Sequence, residues 1–251
     1  MSAQQVAAIA EEAARAAGAI LLERFGSERA LDRTKSSPTD LVSEADLLAE
    51  KAIRDILAAR APDDAIMGEE GADTPGSSGR RWIVDPLDGT VNFVFGIPQW
   101  AVSVACEGVA GVVFDPCRDE LFLAAEGRAL LNREPLQASR REDLASALVA
   151  TGFGYEAEVR RGQAEVVARL LPLVRDIRRA GSAALDMAWT AAGRIDAFYE
   201  RGVKPWDIAA GSLLCEAAGL SVRSLQAGAG MPAGVVAAPP ALLEPLLELV
   251  A

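Results

Sequence analysis

The reading of the fold turns on Trp82-Ile83-Val84-Asp85-Pro86-Leu87-Asp88-Gly89-Thr90-Val91-Asn92-Phe93. An apolar run leads straight into two carboxylates three residues apart, followed by a Gly-Thr turn. The pattern predicts a buried strand that ends at Asp85, because Pro86 fixes the backbone behind it and has no N–H to continue a central ladder. Asp88 then falls at the cap position of the helix or turn that follows. Such a chain end offers two anionic oxygen donors beside a row of backbone N–H groups. That pairing suits a divalent cation and a phosphate held side by side. Taken alone, Asp85 to Thr90 also spell a tight turn with a helix cap, since Asp, Pro and Gly are common turn residues.

Composition narrows the choice. The chain has 251 residues, enough for a large core in one domain or two fused halves, and its 51 % hydrophobic content argues against disorder. A net charge of −11 leaves no basic face for nucleic acid. The same charge repels an anionic substrate unless bound cations invert the field at the site. There is no histidine at all, which removes Ser-His-Asp and Cys-His mechanisms, His-ligated zinc and His proton shuttles. Hydrolysis here has to run on carboxylates, hydroxyls, lysine or metal ions. Cys106, Cys117 and Cys215 are odd in number and lack C-x-x-C spacing. They read as structural thiols of a reduced, cytoplasmic compartment rather than a disulfide frame. The N-terminus shows no basic targeting segment, and no charge-free run of about 18 apolar residues predicts a membrane span.

Along the chain, Gln4 to Phe25 reads as an Ala-rich helix stopped by Gly26, with Ile9, Ile20 and Leu21 on one face. Ser43 is placed to cap a second helix, with Asp46 as the acid of a capping box; the helix runs to about Arg60 on an apolar face of Leu47, Leu48, Ile53, Ile56 and Leu57. Ala65 to Met67 is a short strand stopping at Gly68-Glu69-Glu70. The segments Ala101 to Cys106, Val109 to Phe114 and Glu120 to Ala125 read as an antiparallel meander. Leu144 to Thr151 is a further strand, and Glu158 to Leu171 a helix ended by Pro172. Ser182 caps a helix closed by Gly193. Ile195 to Tyr199 is a strand closed by Glu200, and Lys204-Pro205-Trp206-Asp207 opens a helix in which Trp206 reads as core packing. A strand from Gly234 to Ala237 and a helix from Ala241 to Val250 finish the chain. The expectation is a single compact α/β unit over residues 1–251, with an N-terminal α+β half to about residue 140 and an α/β half from about 141.

Glu69, Asp85, Asp88 and Asp207 each sit where a strand ends or a helix begins, and open α/β sheets place ligand sites at such edges. Separately, Glu69 and Glu70 read as a solvated pair and Asp207 as a helix cap. Together, four converging carboxylates need cations to stay ionised, and oxygen-only ligation selects Mg²⁺ first, then Mn²⁺ or Ca²⁺. The hydroxyl of Thr90 gains a role if Glu69 lies near enough to share a water.

With these residues assembled, the chain resembles the inositol monophosphatase family of Mg²⁺-dependent, lithium-sensitive phosphatases over nearly its whole length. The motifs are Gly68-Glu69-Glu70, Trp82 to Phe93, and Trp206-Asp207-Ile208-Ala209-Ala210-Gly211, supported by Lys35 to Val42 and Gly181-Ser182-Ala183-Ala184. The resemblance implies a layered αβαβα sandwich and a homodimer. It implies that Glu69, Asp85 and the Leu87 carbonyl hold one Mg²⁺, that Asp85, Asp88 and Asp207 hold a second, and that a looser third leans on Glu69, with Mn²⁺ as a substitute. By the same resemblance Gly89 and Thr90 meet the phosphate, and Glu69 and Thr90 orient the attacking water. Gly181, Ala183 and Glu200 touch the alcohol part of the substrate, and Lys35 and Asp46 lie near the metals. The implied reaction is hydrolysis of a small phosphate monoester by a metal-activated water. Inositol monophosphate leads as substrate and histidinol phosphate is the main rival. A non-catalytic, metal-binding regulatory protein is the alternative from another class. The chain departs from the family pattern at Arg133, where a Gly is common, and past Gly219, where a Gly-Pro-aromatic turn is missing.

Overall fold

The computed structural model describes residues 1–26, 44–228 and 230–251, together with the backbone of residues 33–34 and 41–42. Helix α1 (Ala3–Arg24) starts at a Ser2–Gln5 capping box. A short ribbon, β1 (Arg33–Thr34) with β2 (Leu41–Val42), precedes α2 (Glu44–Arg60). The Ser43 cap and Lys35 lie outside the described residues. Next come β3 (Ala65–Gly68), β4 (Arg81–Asp88), the one-turn α3 (Thr90–Val94) and a meander of β5 (Ala101–Cys106), β6 (Ala110–Asp115), β7 (Glu120–Ala125), β8 (Arg128–Leu131) and β9 (Glu134–Pro135). The later part holds β10 (Leu148–Thr151), α4 (Ala157–Leu170), β11 (Asp176–Arg178), α5 (Ala183–Ala191), β12 (Ala197–Arg201), α6 (Pro205–Ala217), β13 (Ser221–Leu225), β14 (Gly234–Ala238) and α7 (Pro240–Val250).

Two sheets separate three helical layers. The first sheet runs β3 to β9 in sequence order, with β3 parallel to β4 and every later neighbour antiparallel. The second has the order β11-β10-β12-β14-β13. The alternation of strand side chains builds the layers. Val102, Val104 and Val112 face α1 and α2, whereas Ala101, Ala105 and Val113 face α5 and α6. In the second sheet Phe198 and Ala237 also face α5 and α6, while Val149, Tyr199 and Val236 face α4 and α7. The result is the αβαβα sandwich. Both faces of β5 and β6 are buried, which explains their unbroken apolar sequence.

Several sequence expectations are corrected. The strand through Trp82 does not end at Asp85 but continues to Asp88, with a register shift between Asp85 and Asp88 that accommodates Pro86 as a bulge. The buried face of α2 is Ala45, Asp46, Ala49, Glu50, Ile53 and Leu57; Leu47 points outward and is 46 % exposed. Residues Leu144–Ser146 form a 3₁₀ turn before β10. Glu200 lies inside β12, opposite Val235 of β14, rather than closing the strand. The edge strand β13 escaped the sequence reading because Arg223 and Ser224 are solvent-exposed and give it no apolar run.

Candidate active site

The β4 bulge shapes the centre of the site. Asp85 is 1 % exposed, and its Oδ1 accepts the Leu87 N–H at 3.0 Å, an Asx-type turn that folds the chain around Pro86. Gly89 follows at φ +98°, a conformation that favours glycine. A Cβ there would also lie 3.0 Å from the Gln99 carbonyl oxygen. The Thr90 hydroxyl lies 3.1 Å from the Leu87 carbonyl oxygen and 3.3 Å from Asp46 Oδ1. This contact brings Asp46, fully buried on α2, to the site. Beneath α3, the rings of Phe25, Phe93 and Trp100 pack with centroids 5.2–5.5 Å apart, joining the end of α1 to the start of β5.

Asp88 does not cap α3, whose N-cap is Gly89 without a side-chain bond. Its Oδ2 instead accepts from the Ser182 hydroxyl at 2.6 Å and the Ala184 N–H at 2.7 Å. A carboxylate from the first sheet thus meets the N-terminus of α5, where the helix dipole favours negative charge. Asp207 lies in the first turn of α6, and its Oδ2 accepts the Lys204 N–H at 2.7 Å, closing the helix start as a capping acid does. Trp206, expected in the core, is only half-buried, and its carbonyl accepts from the Ser103 hydroxyl at 3.2 Å. Glu69 and Glu70 follow β3, which is parallel to β4 and ends opposite Val84. Both are half-buried rather than fully solvated.

The far wall comes from the second sheet and α5. Gly181 adopts φ +95°, and a Cβ there would stand 2.6 Å from the Arg179 guanidinium. Ala183 opens α5. The Glu200 carboxylate lies against Gly152, where a Cβ would fall 2.1 Å from Oε1, so the carboxylate occupies the space that glycine leaves. Sequence reading missed three contributors. Asn92 Nδ2 donates to the Gln99 and Ala180 carbonyls at 2.6 and 2.8 Å, tying α3 to the loop that bears Gly181. Ser182 does more than cap α5, since its hydroxyl also reaches Asp88. Asp186 is 1 % exposed on α5, with Oδ1 lacking a hydrogen-bond partner. Ser182 and Asn92 stand inside the quoted motifs, whereas Asp186 leaves no signal beyond an acid on an apolar helix.

These acids raise one another's pKa values. Burial, then the charges of Glu69, Asp88 and Asp207, pushes Asp85 well above the carboxylate range. Burial lifts Asp88 to about 6 against the pull of its Ser182 and Ala184 bonds. Asp207 is raised well up by burial and then by Asp88, and Asp186 likewise. Glu200 rises to about 8 through burial, Asp186 and Asp88, with the Arg179 guanidinium opposing. Carboxylates distant in sequence thus lie near enough to feel one another's charge, though among the described residues no three are drawn into an ion-holding cluster. Burial also raises the thiols, to about 11 for Cys106 and Cys117. All three cysteines are free.

A model of the inositol monophosphatase family matches residues 2–251. The chain belongs to the inositol monophosphatase family. It is 45 % identical over 245 residues to the inositol-1-monophosphatase of Mycobacterium bovis, covering 90 % of this chain and 84 % of that one. It is 37 % identical over 248 residues to the Nus factor SuhB of Salmonella typhimurium, covering 95 % and 93 %. Among solved structures, the extragenic suppressor protein suhB of Bartonella henselae superposes with a TM-score of 0.90 at 36 % identity, covering 98 % of both chains. An inositol monophosphatase from Anabaena superposes at 0.83 with 32 % identity, covering 98 % and 95 %. Membership in the inositol monophosphatase family implies a small phosphorylated substrate and, in general, dependence on a metal ion. No helix among the described residues is long and apolar enough to cross a membrane.

The residues fit such an ion. The donor set is oxygen only, which suits a hard divalent cation. Asp85 commits Oδ1, Asp88 commits Oδ2 and Asp207 commits Oδ2 to protein donors. The second oxygen of each stands outside those bonds. Carboxylates that repel one another in a buried site are favoured in their ionised form by a shared cation.

Proposed function

We propose that this chain is a Mg²⁺-dependent phosphomonoesterase, with inositol monophosphate as its leading substrate. The observation that supports it is the electrostatic coupling of Glu69, Asp85, Asp88 and Asp207, buried or half-buried, just past β3, in the second half of β4 and in the first turn of α6. Glu69, Asp85 and the Leu87 carbonyl would hold one ion, Asp85, Asp88 and Asp207 a second, and Glu69 a looser third, with Mn²⁺ as a substitute. When bound, such ions lower the pKa of a water and offset charge on the leaving oxygen. Gly89 and Thr90 offer N–H groups to the phosphate. Thr90 gives its hydroxyl proton to the Leu87 carbonyl or to Asp46 and keeps a lone pair to accept from the attacking water, which Glu69 also orients. Asp88 anchors both the ion and, through Ser182 and Ala184, the helix bearing Ala183.

Gly181, Ala183, Glu200 and Asp207 would face the alcohol. Without bound ions, burial and then the charges of Asp186 and Asp88 raise the Glu200 carboxyl to about 8. A cation on Asp88 would offset part of that shift, and a carboxyl at this position can bond hydroxyls or pair with an ammonium, so Glu200 contacts the alcohol without choosing between inositol and histidinol. We also propose a homodimer as the working form.

The second reading, a metal-binding protein that acts through a partner without turnover, draws on the relative named Nus factor SuhB. Phosphate release from inositol 1-phosphate and histidinol phosphate, with Mg²⁺ and with EDTA, separates the readings. Mg²⁺-dependent release with preference for the inositol ester is expected. Absence of release from either ester would favour the partner-acting protein. In the same assay Asp85→Asn is expected to lower turnover by about a hundred- to a thousandfold, the scale of losing a principal electrostatic stabiliser, with the circular dichroism spectrum unchanged. Undiminished turnover in that variant would sink the metal assignment.

A further inference from the structure

Glu50 is a charged residue in a place built for apolar ones. It lies on the buried face of α2 between Ala49 and Ile53 and is 2 % exposed. Its two oxygens are spent on the loop that follows β3. Oε2 accepts the Glu70 N–H at 2.8 Å and Oε1 accepts the Gly71 N–H at 2.8 Å. Arg54, one helical turn on, donates from Nε to Oε1 at 2.7 Å and from Nη1 to the Thr74 hydroxyl at 3.2 Å. Thr74 in turn bridges Ile66 of β3. The glycines flanking the acidic pair complete the mould. A Cβ on Gly68 would stand 2.6 Å from Glu50 Oε1, and one on Gly71 2.7 Å from the same atom. Neither glycine has positive φ, so both are required by space rather than by backbone angle. One carboxylate thereby bonds the Glu70–Gly71 end of Gly68-Glu69-Glu70-Gly71 and packs closely against Gly68 at the other.

A loop at a strand end otherwise samples many conformations, and ordering it when an ion binds weakens the binding. We infer that Glu50, braced by Arg54, is a positioning residue that presets the Glu69 loop and so sets the affinity of the site for its divalent cation. The inference rests on the phosphatase reading's assignment of Glu69 to an ion. Its effect falls on ion affinity, because at saturating ion the bound cation would itself hold Glu69, the residue that orients the attacking water.

The test uses Mn²⁺ binding to the full chain, followed by electron paramagnetic resonance, in wild type, Glu50→Gln and Gly71→Ala. Glu50→Gln keeps the shape and turns one acceptor into a donor facing an N–H. Gly71→Ala leaves the Glu50–Arg54 pair intact and pushes Cβ onto Oε1. Weakening of Mn²⁺ binding by 10- to 100-fold is expected for Glu50→Gln, the range for residues that orient metal ligands, with a smaller loss for Gly71→Ala. The Mg²⁺ midpoint for phosphate release should rise by the same factors, while KM for the ester and kcat at saturating Mg²⁺ stay within about twofold of wild type. Amide exchange at Glu70 and Gly71 should accelerate in Glu50→Gln. Should Glu50→Gln fail to fold, Gly71→Ala decides the matter alone. Wild-type Mn²⁺ affinity in the folded variants overturns the inference while leaving the phosphatase reading standing. A wild-type chain that binds no Mn²⁺ overturns both, and one that binds Mn²⁺ in a Glu50-dependent way without releasing phosphate supports the inference while overturning the phosphatase.

Discussion

Without bound ions, Glu200 carries a proton at neutral pH that the unfolded chain does not. Its pKa is about 8 in the fold, against an ordinary 4.5. Between those values the native state binds more protons than the unfolded state, so stability falls as pH rises. The contribution is complete below about 4.5 and is lost as pH passes 8. Glu200→Gln retains the shape without the titration. In EDTA, the urea midpoint of the variant is expected to fall less steeply than that of wild type between pH 5 and 8. Parallel slopes would mean that Glu200 titrates elsewhere. The same residue shows what linear reading misses. A lone Glu after a strand gives no hint of a raised pKa, because the cause is burial between the layers and then the charges of Asp186 and Asp88, which approach only through α5 and β4. Asp88 likewise reads in sequence as a local cap, and only the packing of α5 against the β4 end gives it Ser182 and Ala184 instead.

At the scale of elements, the β8–β9 hairpin carries the trace of a sequence departure. Asn132 and Arg133 form its turn with φ +47° and +74°. Two-residue hairpin turns with both central angles positive favour Asn-Gly, because the strand twist demands a left-handed pair. Asn132 suits its place and ties itself down, accepting from the Leu121 N–H at 2.9 Å and donating to the Asp119 carbonyl at 3.0 Å. Arg133 is strained by its Cβ, where the family pattern has a Gly. Arg133→Gly is therefore expected to stabilise the protein by about 1 kcal/mol, read as a higher urea midpoint with unchanged slope. A lower midpoint would show that the long side chain contributes more than its backbone costs. Elements such as the meander were legible because both faces are buried and the apolar runs are unbroken. The outward Leu47 was misplaced because α2 turns a polar pair, Asp46 and Glu50, toward the sheet, and a hydrophobicity pattern cannot anticipate a helix that buries acids to serve a site.

For the whole molecule, the proposed ions join parts of the chain that are far apart in sequence. Glu69 follows β3 and Asp85 lies in β4 of the first sheet, whereas Asp207 lies on α6 between the sheets. A ligand that binds only the folded arrangement stabilises it by mass action, by about 2.7 kcal/mol at 100 times its dissociation constant. Mg²⁺ is expected to raise the thermal midpoint of the wild-type chain, EDTA to reverse the rise, and Asp85→Asn to abolish most of it. An equal rise in that variant would place the stabilising ion elsewhere. The net charge of −11 works in the same direction, since a cation relieves repulsion that the fold concentrates.

By itself the sequence determined the class of chemistry. Absent histidine leaves oxygen donors, since donor type is a property of residues and needs no fold, and the three ordered motifs carry the family, which implies a small phosphorylated substrate. It also determined most elements, because periodicity and turn residues act locally. Only the tertiary structure decided the rest. The bulge that carries β4 past Pro86 depends on pairing with β5. The partners of Asp88, the raised pKa of Glu200 and the seating of the Glu69 loop on Glu50 depend on groups 14 to 112 residues away in the chain. Desolvation and charge coupling arise from proximity in space, and that proximity exists only once the layers have packed.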